Sequence, residues 1–88
     1  MFPHEVKAKI EEGLATEFVD VQEFSGGSDH YAVIVVSDAF EKVPLLKRHR
    51  MVMDIFKDEL ATEEVHALTI KAYTSKQWEI EKDKPRFF

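Results

Sequence analysis

The chain has 88 residues, of which 44% are hydrophobic and 33% charged, and its formal net charge is −5. This length suits one small domain, and the composition is ordinary for a globular protein. The negative charge argues against a chain built to bind polyanions over its whole surface. The chain contains no cysteine, which excludes disulfide bonds and thiolate chemistry from its own side chains.

The amino-terminal segment MFPHEVKAKI lacks the features of an export signal. It carries early acidic residues and no long apolar run, and the longest apolar run, Tyr31–Val36, is too short to span a bilayer. We therefore expect a mature chain from a reducing compartment, with no membrane partner. The expected location is cytoplasmic, or mitochondrial if a targeting segment has been removed.

The first half of the chain predicts a helix followed by a hairpin. Helical spacing of apolar residues predicts a helix over Pro3–Ala15, with Pro3 at its first position. Alternation predicts a strand over Phe18–Phe24, and the glycine-rich Ser25–Asp29 predicts a turn. His30–Ser37 predicts a second strand that is apolar on both faces, which favours a central position in the sheet.

The middle of the chain predicts one long amphipathic helix. Ser37 and Asp38 can cap a short helical turn, and Phe40 is a predicted core anchor. Pro44 opens the long helix, which is expected to end near Ala61. The predicted apolar face of this helix consists of Leu45, Leu46, His49, Val52, Met53, Phe56 and Leu60.

The last part predicts a strand, a helix and a tail. Val65–Tyr73 alternates as a third strand, with His66 on the same side as Leu68, Ile70 and Ala72. Thr74 and Gln77 fit a capping box for a helix that packs through Trp78 and Ile80. Residues 1–82 are expected to form a single domain, and residues 83–88 a frayed tail.

The predicted order of elements is αββααβα. A three-stranded sheet with helices packed on one face is an α+β fold.

The two central histidines differ in their predicted surroundings. His49 lies in the apolar stripe and is expected to be a core residue. His66 opens a strand and His30 follows the glycine turn, so the two could meet at one metal ion. The more common alternative is that both are ordinary surface histidines. Lys47, Arg50 and Lys57 could form a basic face, but Asp54 and Asp58 interrupt it, which favours ion pairs within the helix.

Enzymatic motifs are missing from the sequence. There is no cysteine nucleophile, nucleophile elbow, phosphate loop or helical histidine pair. The glycines of SGGSD are too few for a dinucleotide loop. We therefore expect a protein that is not an enzyme.

Three segments carry a resemblance to a known family. Phe40, PLLKRHRMV at residues 44–52 and VHALTIKAYTSKQW at residues 65–78 resemble the BolA family, and the match covers nearly the whole chain. The resemblance implies a class II KH-like fold with a mixed sheet and a helix-turn-helix-like element around residues 38–60.

The resemblance also implies partnership with a monothiol glutaredoxin, as a heterodimer, in iron–sulfur cluster handling, iron homeostasis and stress response. His66 corresponds to the family's ligand of a shared [2Fe–2S] cluster, which a glutaredoxin cysteine and glutathione complete. His30 is the only candidate here for the second ligand, in a loop without cysteine. Lys71 and Trp78 are the expected docking residues, and the isolated protein is expected to be a monomer without cofactor.

Some bacterial members of the family are DNA-binding transcriptional regulators, which is the alternative function. KH domains grip nucleic acid with a GxxG loop, which this chain lacks, and Lys42 stands where the family usually has glycine. If DNA is a partner, the expected contacts are Lys42, Lys47, Arg48, Arg50 and Lys71. The negative net charge ranks this alternative below cluster chemistry.

Overall fold

The computed structural model describes residues 1–24 and 30–84. The predicted turn at Ser25–Asp29 and the end of the predicted tail, residues 85–88, lie outside this part of the chain. The elements in chain order are helix α1 Pro3–Gly13, strands β1 Phe18–Phe24 and β2 His30–Val36, a 3-10 helix Asp38–Phe40, helices α2 Leu45–Ile55 and α3 Lys57–Ala61, strand β3 Ala67–Tyr73 and helix α4 Ser75–Glu81. None of the described helices has the length and apolar character needed to cross a membrane.

The three strands form a mixed sheet in the order β1-β2-β3. β1 runs antiparallel to β2, with Val21 opposite Val33, and β3 runs parallel to β2, with Ile70 opposite Val33. Every residue of β2 from Tyr31 to Val36 is buried. The predicted α+β fold and the central position of β2 are therefore confirmed.

One face of the sheet carries the main core. Tyr31, Val33 and Val35 point to this face and cluster with buried residues of the helices, and each is 1% exposed or less. The members of the cluster from the helical segments and from the junction of α2 and α3 are Val6, Ile10, Phe40, Val52 and Phe56. Burial of an aliphatic or aromatic side chain contributes about 1.5–3 kcal/mol, so this cluster is a main source of the stabilisation of the fold.

The opposite face is partly covered by helix α4. Phe18, Val36 and Tyr73 lie side by side across the three strands. The Trp78 ring stacks on Phe18 at 5.0 Å between ring centroids and contacts Tyr73 at 5.7 Å. Trp78 therefore spans the row above Val36, so the expectation that all helices pack on one face does not hold for α4.

The predicted long helix is two helices, α2 and α3, separated at Phe56. Phe56 has φ −107° and ψ 18°, and its N–H donates to the carbonyl of Met53 at 3.0 Å. This bond spans three residues instead of four, so the helix tightens at this point. The Phe56 ring lies in the core, where it is fully buried.

The predicted apolar face of α2 is rotated from the observed one. Leu45, Leu46 and Met53 are 59%, 66% and 41% exposed, so their prediction as core residues was wrong. The buried residues follow one another every four positions, at Arg48, Val52 and Phe56. Because one of these buried positions is an arginine, the pattern of hydrophobic residues alone does not reveal the buried stripe.

The predicted helix signals are largely confirmed. Pro3 begins α1, the Ser37 hydroxyl caps the 3-10 helix, and Thr74 and Gln77 form the capping box of α4. α1 ends at Gly13, two residues earlier than predicted, where a Cβ atom would lie 3.0 Å from the side chain of Ile55. Ile80 is 65% exposed, which contradicts its prediction as a packing residue.

Candidate metal centre

The parallel pairing of β2 and β3 brings His30 and His66 together. His30 is the first residue of β2 and lies opposite Ala67, the first residue of β3. His66 therefore sits beside the same end of the sheet, and its ring centroid is 5.1 Å from that of His30, with ring planes 8° apart. Two histidines that are 36 positions apart in sequence thus form one pair.

The segment before His66 is fixed by the residues around it. The side chain of Val65 is fully buried, and its N–H donates to the carbonyl of Glu59 at 3.1 Å. The chain reverses at Glu63, which adopts a left-handed conformation with φ 64°. Val65 points into the core, whereas His66, which precedes the first residue of β3 and so does not follow the alternation of the strand, is exposed.

The pair offers a donor set that a metal could share with a partner. His66 is exposed and His30 is half-buried, so both rings can be reached from outside. Within residues 1–24 and 30–84, no three histidine, cysteine or acidic side chains are arranged to hold a metal ion. Imidazole suits iron, zinc and copper. The chemistry therefore fits a centre in which this chain supplies two nitrogen ligands and other molecules supply the rest.

The two expected docking residues lie further along the sheet. Lys71 is in the middle of β3 opposite Ile34, on the face that α1 and α2 leave open. Trp78 contacts Tyr73 at the far end of β3, roughly 20 Å from His66 at the usual rise per strand residue. The structure thus places Lys71 between the histidine pair and Trp78, and does not bring Trp78 to the pair.

Arg48, expected to contact DNA, is instead a buried structural residue. It is 8% exposed, and its Nε donates to the carbonyl of Val43 at 2.8 Å. Its Nη1 donates to the carbonyl of Ala72 at 3.2 Å and to Oε1 of Gln77 at 2.8 Å. The guanidinium thereby joins the start of α2, the end of β3 and the cap of α4, a structural role that leaves only 8% of Arg48 exposed for a contact with DNA. The four-residue spacing of Arg48 with Val52 and Phe56 was the sequence signal for this role.

The other expected DNA contacts are exposed cations on or before α2. Lys42, Lys47 and Arg50 are all exposed. Lys47 and Arg50 line a surface cavity of about 450 Å³ together with Leu46 and Asp54. The cavity mixes apolar, basic and acidic side chains, which differs from a continuous basic stripe.

His49 lies at the margin of the core. It is half-buried and lines a groove of about 210 Å³ between α2 and β3, together with Leu45 and Ile70. The expectation of a core histidine is therefore only partly met. The orientation of α2 that buries the side chain of Arg48 also places the side chain of His49 at the groove instead of in the core.

Comparison with known proteins identifies the family. The family model described as BolA-like protein matches residues 5–77. The chain is 40% identical over 80 residues to BolA-like protein 1 of Mus musculus, which covers 83% of this chain and 58% of that protein. It is 34% identical over 86 residues to a protein of Escherichia coli named DNA-binding transcriptional regulator BolA, covering 90% of this chain and 81% of the relative.

A solved structure gives the same result. The solution structure of BolA1 from Mus musculus superposes with a TM-score of 0.80 at 34% identity, over 98% of this chain and 77% of that one. The chain spans just over half the length of the mouse sequence relative. The match of the family model over most of the chain, together with these identities, shows that the chain belongs to the BolA family.

Proposed function

We propose that this protein is a non-enzymatic adaptor that binds a monothiol glutaredoxin and helps to ligate a [2Fe–2S] cluster. His66 is the primary ligand and His30 the second. The cluster is held for assembly, for transfer or as a sensor of iron. The observation that carries the proposal is the meeting of His30 and His66 at one end of the sheet in a chain without cysteine.

The donor chemistry supports a shared cluster. Iron–sulfur clusters are usually held by thiolates, and imidazole replaces two of them in one known class of [2Fe–2S] centre. When bound, the cluster supplies electron-transfer and iron-donating chemistry that the side chains of this chain lack. The chain contributes the two imidazoles, one from the first residue of β2 and one from the residue just before β3, and the partner's cysteine and glutathione contribute the thiolates.

The proposed docking surface extends from the histidine pair along the open face of the sheet. Ala67 and Thr69 are exposed beside His66, and Lys71 follows on the same face. The small side chains near the pair allow close approach of a partner, and Lys71 adds one positive charge. Trp78 supports this surface indirectly, because its stacking on Phe18 and Tyr73 fixes the far end of the sheet.

The experiment mixes the protein with a cluster-loaded monothiol glutaredoxin and follows the visible absorption and circular dichroism of the cluster. We expect the spectrum to change with one equivalent of wild-type protein and not with His66→Ala. His30→Ala should give an altered spectrum of lower stability. His4→Ala is the matched control, because His4 is also exposed but lies in α1. An unchanged response in His66→Ala would remove the ligand assignment.

DNA binding is the second candidate function, because the Escherichia coli relative carries that name. Lys42, Lys47 and Arg50 are the exposed cations that such binding would use, with Lys71 on the sheet. A DNA titration at two salt concentrations tests it, since phosphate contacts weaken steeply with salt. Absence of binding even at low salt would eliminate this candidate, and Lys47→Ala should weaken any binding that occurs.

A further inference from the structure

The separation of the His30 and His66 rings suits a single metal ion without any partner. A metal that binds two imidazoles at metal–nitrogen distances of about 2.0–2.1 Å separates the two ring centroids by roughly 4.5 Å at the right angle of a square-planar site and by roughly 5 Å at a tetrahedral angle. The observed separation is 5.1 Å, with the ring planes 8° apart. The rings therefore need to rotate so that their nitrogen lone pairs converge, but they need to approach each other by only about half an ångström or less before both can bind one ion.

The backbone maintains this separation. His30 is a strand residue paired in register with Ala67, and His66 is joined directly to Ala67. The buried Val65 fixes the chain on the other side of His66. Because the two ligands are already neighbours, binding costs little loss of backbone freedom.

The donor set selects the class of metal. Two imidazoles favour borderline divalent ions such as Cu²⁺, Ni²⁺ and Zn²⁺ over Mg²⁺ and Ca²⁺, which prefer oxygen ligands. Among divalent first-row metals, affinity for a given nitrogen site is highest for Cu²⁺. No third histidine, cysteine or acidic ligand from the described residues joins the pair, so water would complete the coordination.

We propose that the isolated protein binds one divalent transition-metal ion through His30 and His66, with Cu²⁺ bound more tightly than Zn²⁺. The binding itself does not depend on glutaredoxin. Its consequence, which rests on the proposed function, is that Cu²⁺ and the iron–sulfur cluster compete for the same two imidazoles.

The test is a titration of the full chain with Cu²⁺, followed by electron paramagnetic resonance and by calorimetry. We expect one tight equivalent whose spectrum shows coupling to two nitrogen nuclei. His66→Asn and His30→Asn should each weaken binding by about tenfold or more, because loss of either ligand ends chelation. His4→Asn with His49→Asn serves as the control and should leave the tight equivalent intact. Circular dichroism checks that each variant is folded.

The results separate this inference from the proposed function. Tight binding that survives in folded His66→Asn, or that disappears in the His4 and His49 control, would overturn the copper site. Titration with Zn²⁺ should give weaker binding at the same residues, and tighter Zn²⁺ than Cu²⁺ binding would contradict the assigned order. A protein that binds Cu²⁺ but leaves the spectrum of the glutaredoxin cluster unchanged would refute only the proposed function. A protein that changes that spectrum through His66 but does not bind Cu²⁺ would refute only the copper site.

Discussion

Arg48 and Gln77 are joined by a hydrogen bond of 2.8 Å from Nη1 of the arginine to Oε1 of the glutamine. The same glutamine oxygen accepts from the N–H of Thr74 at 3.0 Å and so completes the capping box of α4. One amide oxygen therefore links the buried guanidinium to the start of the last helix. This link makes the position of α4 depend on α2.

Replacing Arg48 by Met should destabilise the protein by about 2–3 kcal/mol, because the carbonyls of Val43 and Ala72 lose a charged donor in a buried setting. Urea unfolding measures the change. Arg50→Met is the matched control, since Arg50 is exposed on the same helix and surface substitutions change stability by about 0.5 kcal/mol or less. Equal stability of the two variants would contradict the structural role of Arg48.

Local sequence signals predict much of the fold, but they predict the pairing of His30 with His66 only in part. The bounds of β1 and the capping box of Thr74 are set by alternation and by hydrogen bonding within a few residues, which a sequence displays directly. The pairing of His30 with Ala67 depends on parallel strands joined by three helical segments. No local pattern specifies that register, so the sequence could only suggest that His30 and His66 might converge.

The orientation of α2 was mispredicted for a related physical reason. Hydrophobicity assigns Leu45 and Leu46 to the core and Arg48 to solvent, but burial depends on which side chains find partners in the fold. The three hydrogen bonds of Arg48 offset the desolvation of its charge. Leu45 and Leu46 are left exposed because the helix can present only one stripe to the sheet.

Removal of the Trp78 ring should destabilise the protein and leave the His30–His66 pair in place. Trp78→Ala should cost about 2 kcal/mol or more, because it uncovers Phe18 and Tyr73. Trp78→Phe should keep most of the stability that Trp78→Ala loses. Ile80→Ala, on the exposed side of the same helix, should change the stability little. Thermal unfolding gives these values. Loss of glutaredoxin binding by folded Trp78→Phe would show that the tryptophan itself contacts the partner.

Lys42 lies in a left-handed backbone conformation with φ 60°. Lys42→Gly should stabilise the protein by about 0.5–1 kcal/mol, because glycine avoids the left-handed penalty but loses more chain entropy on folding. Lys47→Gly, in the regular helix α2, should instead destabilise by about 1 kcal/mol. Chemical denaturation gives the free energy of unfolding of both variants. A Lys42→Gly variant that is less stable than the wild type would contradict the assigned conformation.

Acid should weaken the contact between the 3-10 helix and α4. A hydrogen bond from the Ser75 hydroxyl to Asp38 at 2.7 Å, and then one with Glu17, hold the pKa of Asp38 below its ordinary value of 3.8. Because the pKa is depressed in the folded state, the stabilisation is complete above the ordinary value and is lost as the pH falls through the folded value. The melting temperature of Asp38→Asn should therefore depend less on pH than that of the wild type below about pH 4. Parallel pH curves for the two proteins would contradict this assignment.

The most direct test of the account is the visible circular dichroism of a [2Fe–2S] cluster on a monothiol glutaredoxin, recorded during titration with this protein. Wild-type protein and His4→Ala should convert the spectrum to a new form at one equivalent. Folded His66→Ala should leave the glutaredoxin spectrum as it was, because it lacks the imidazole that we propose as the primary ligand. The same new spectrum from His66→Ala, or no new spectrum from the wild type, would contradict cluster ligation by His66.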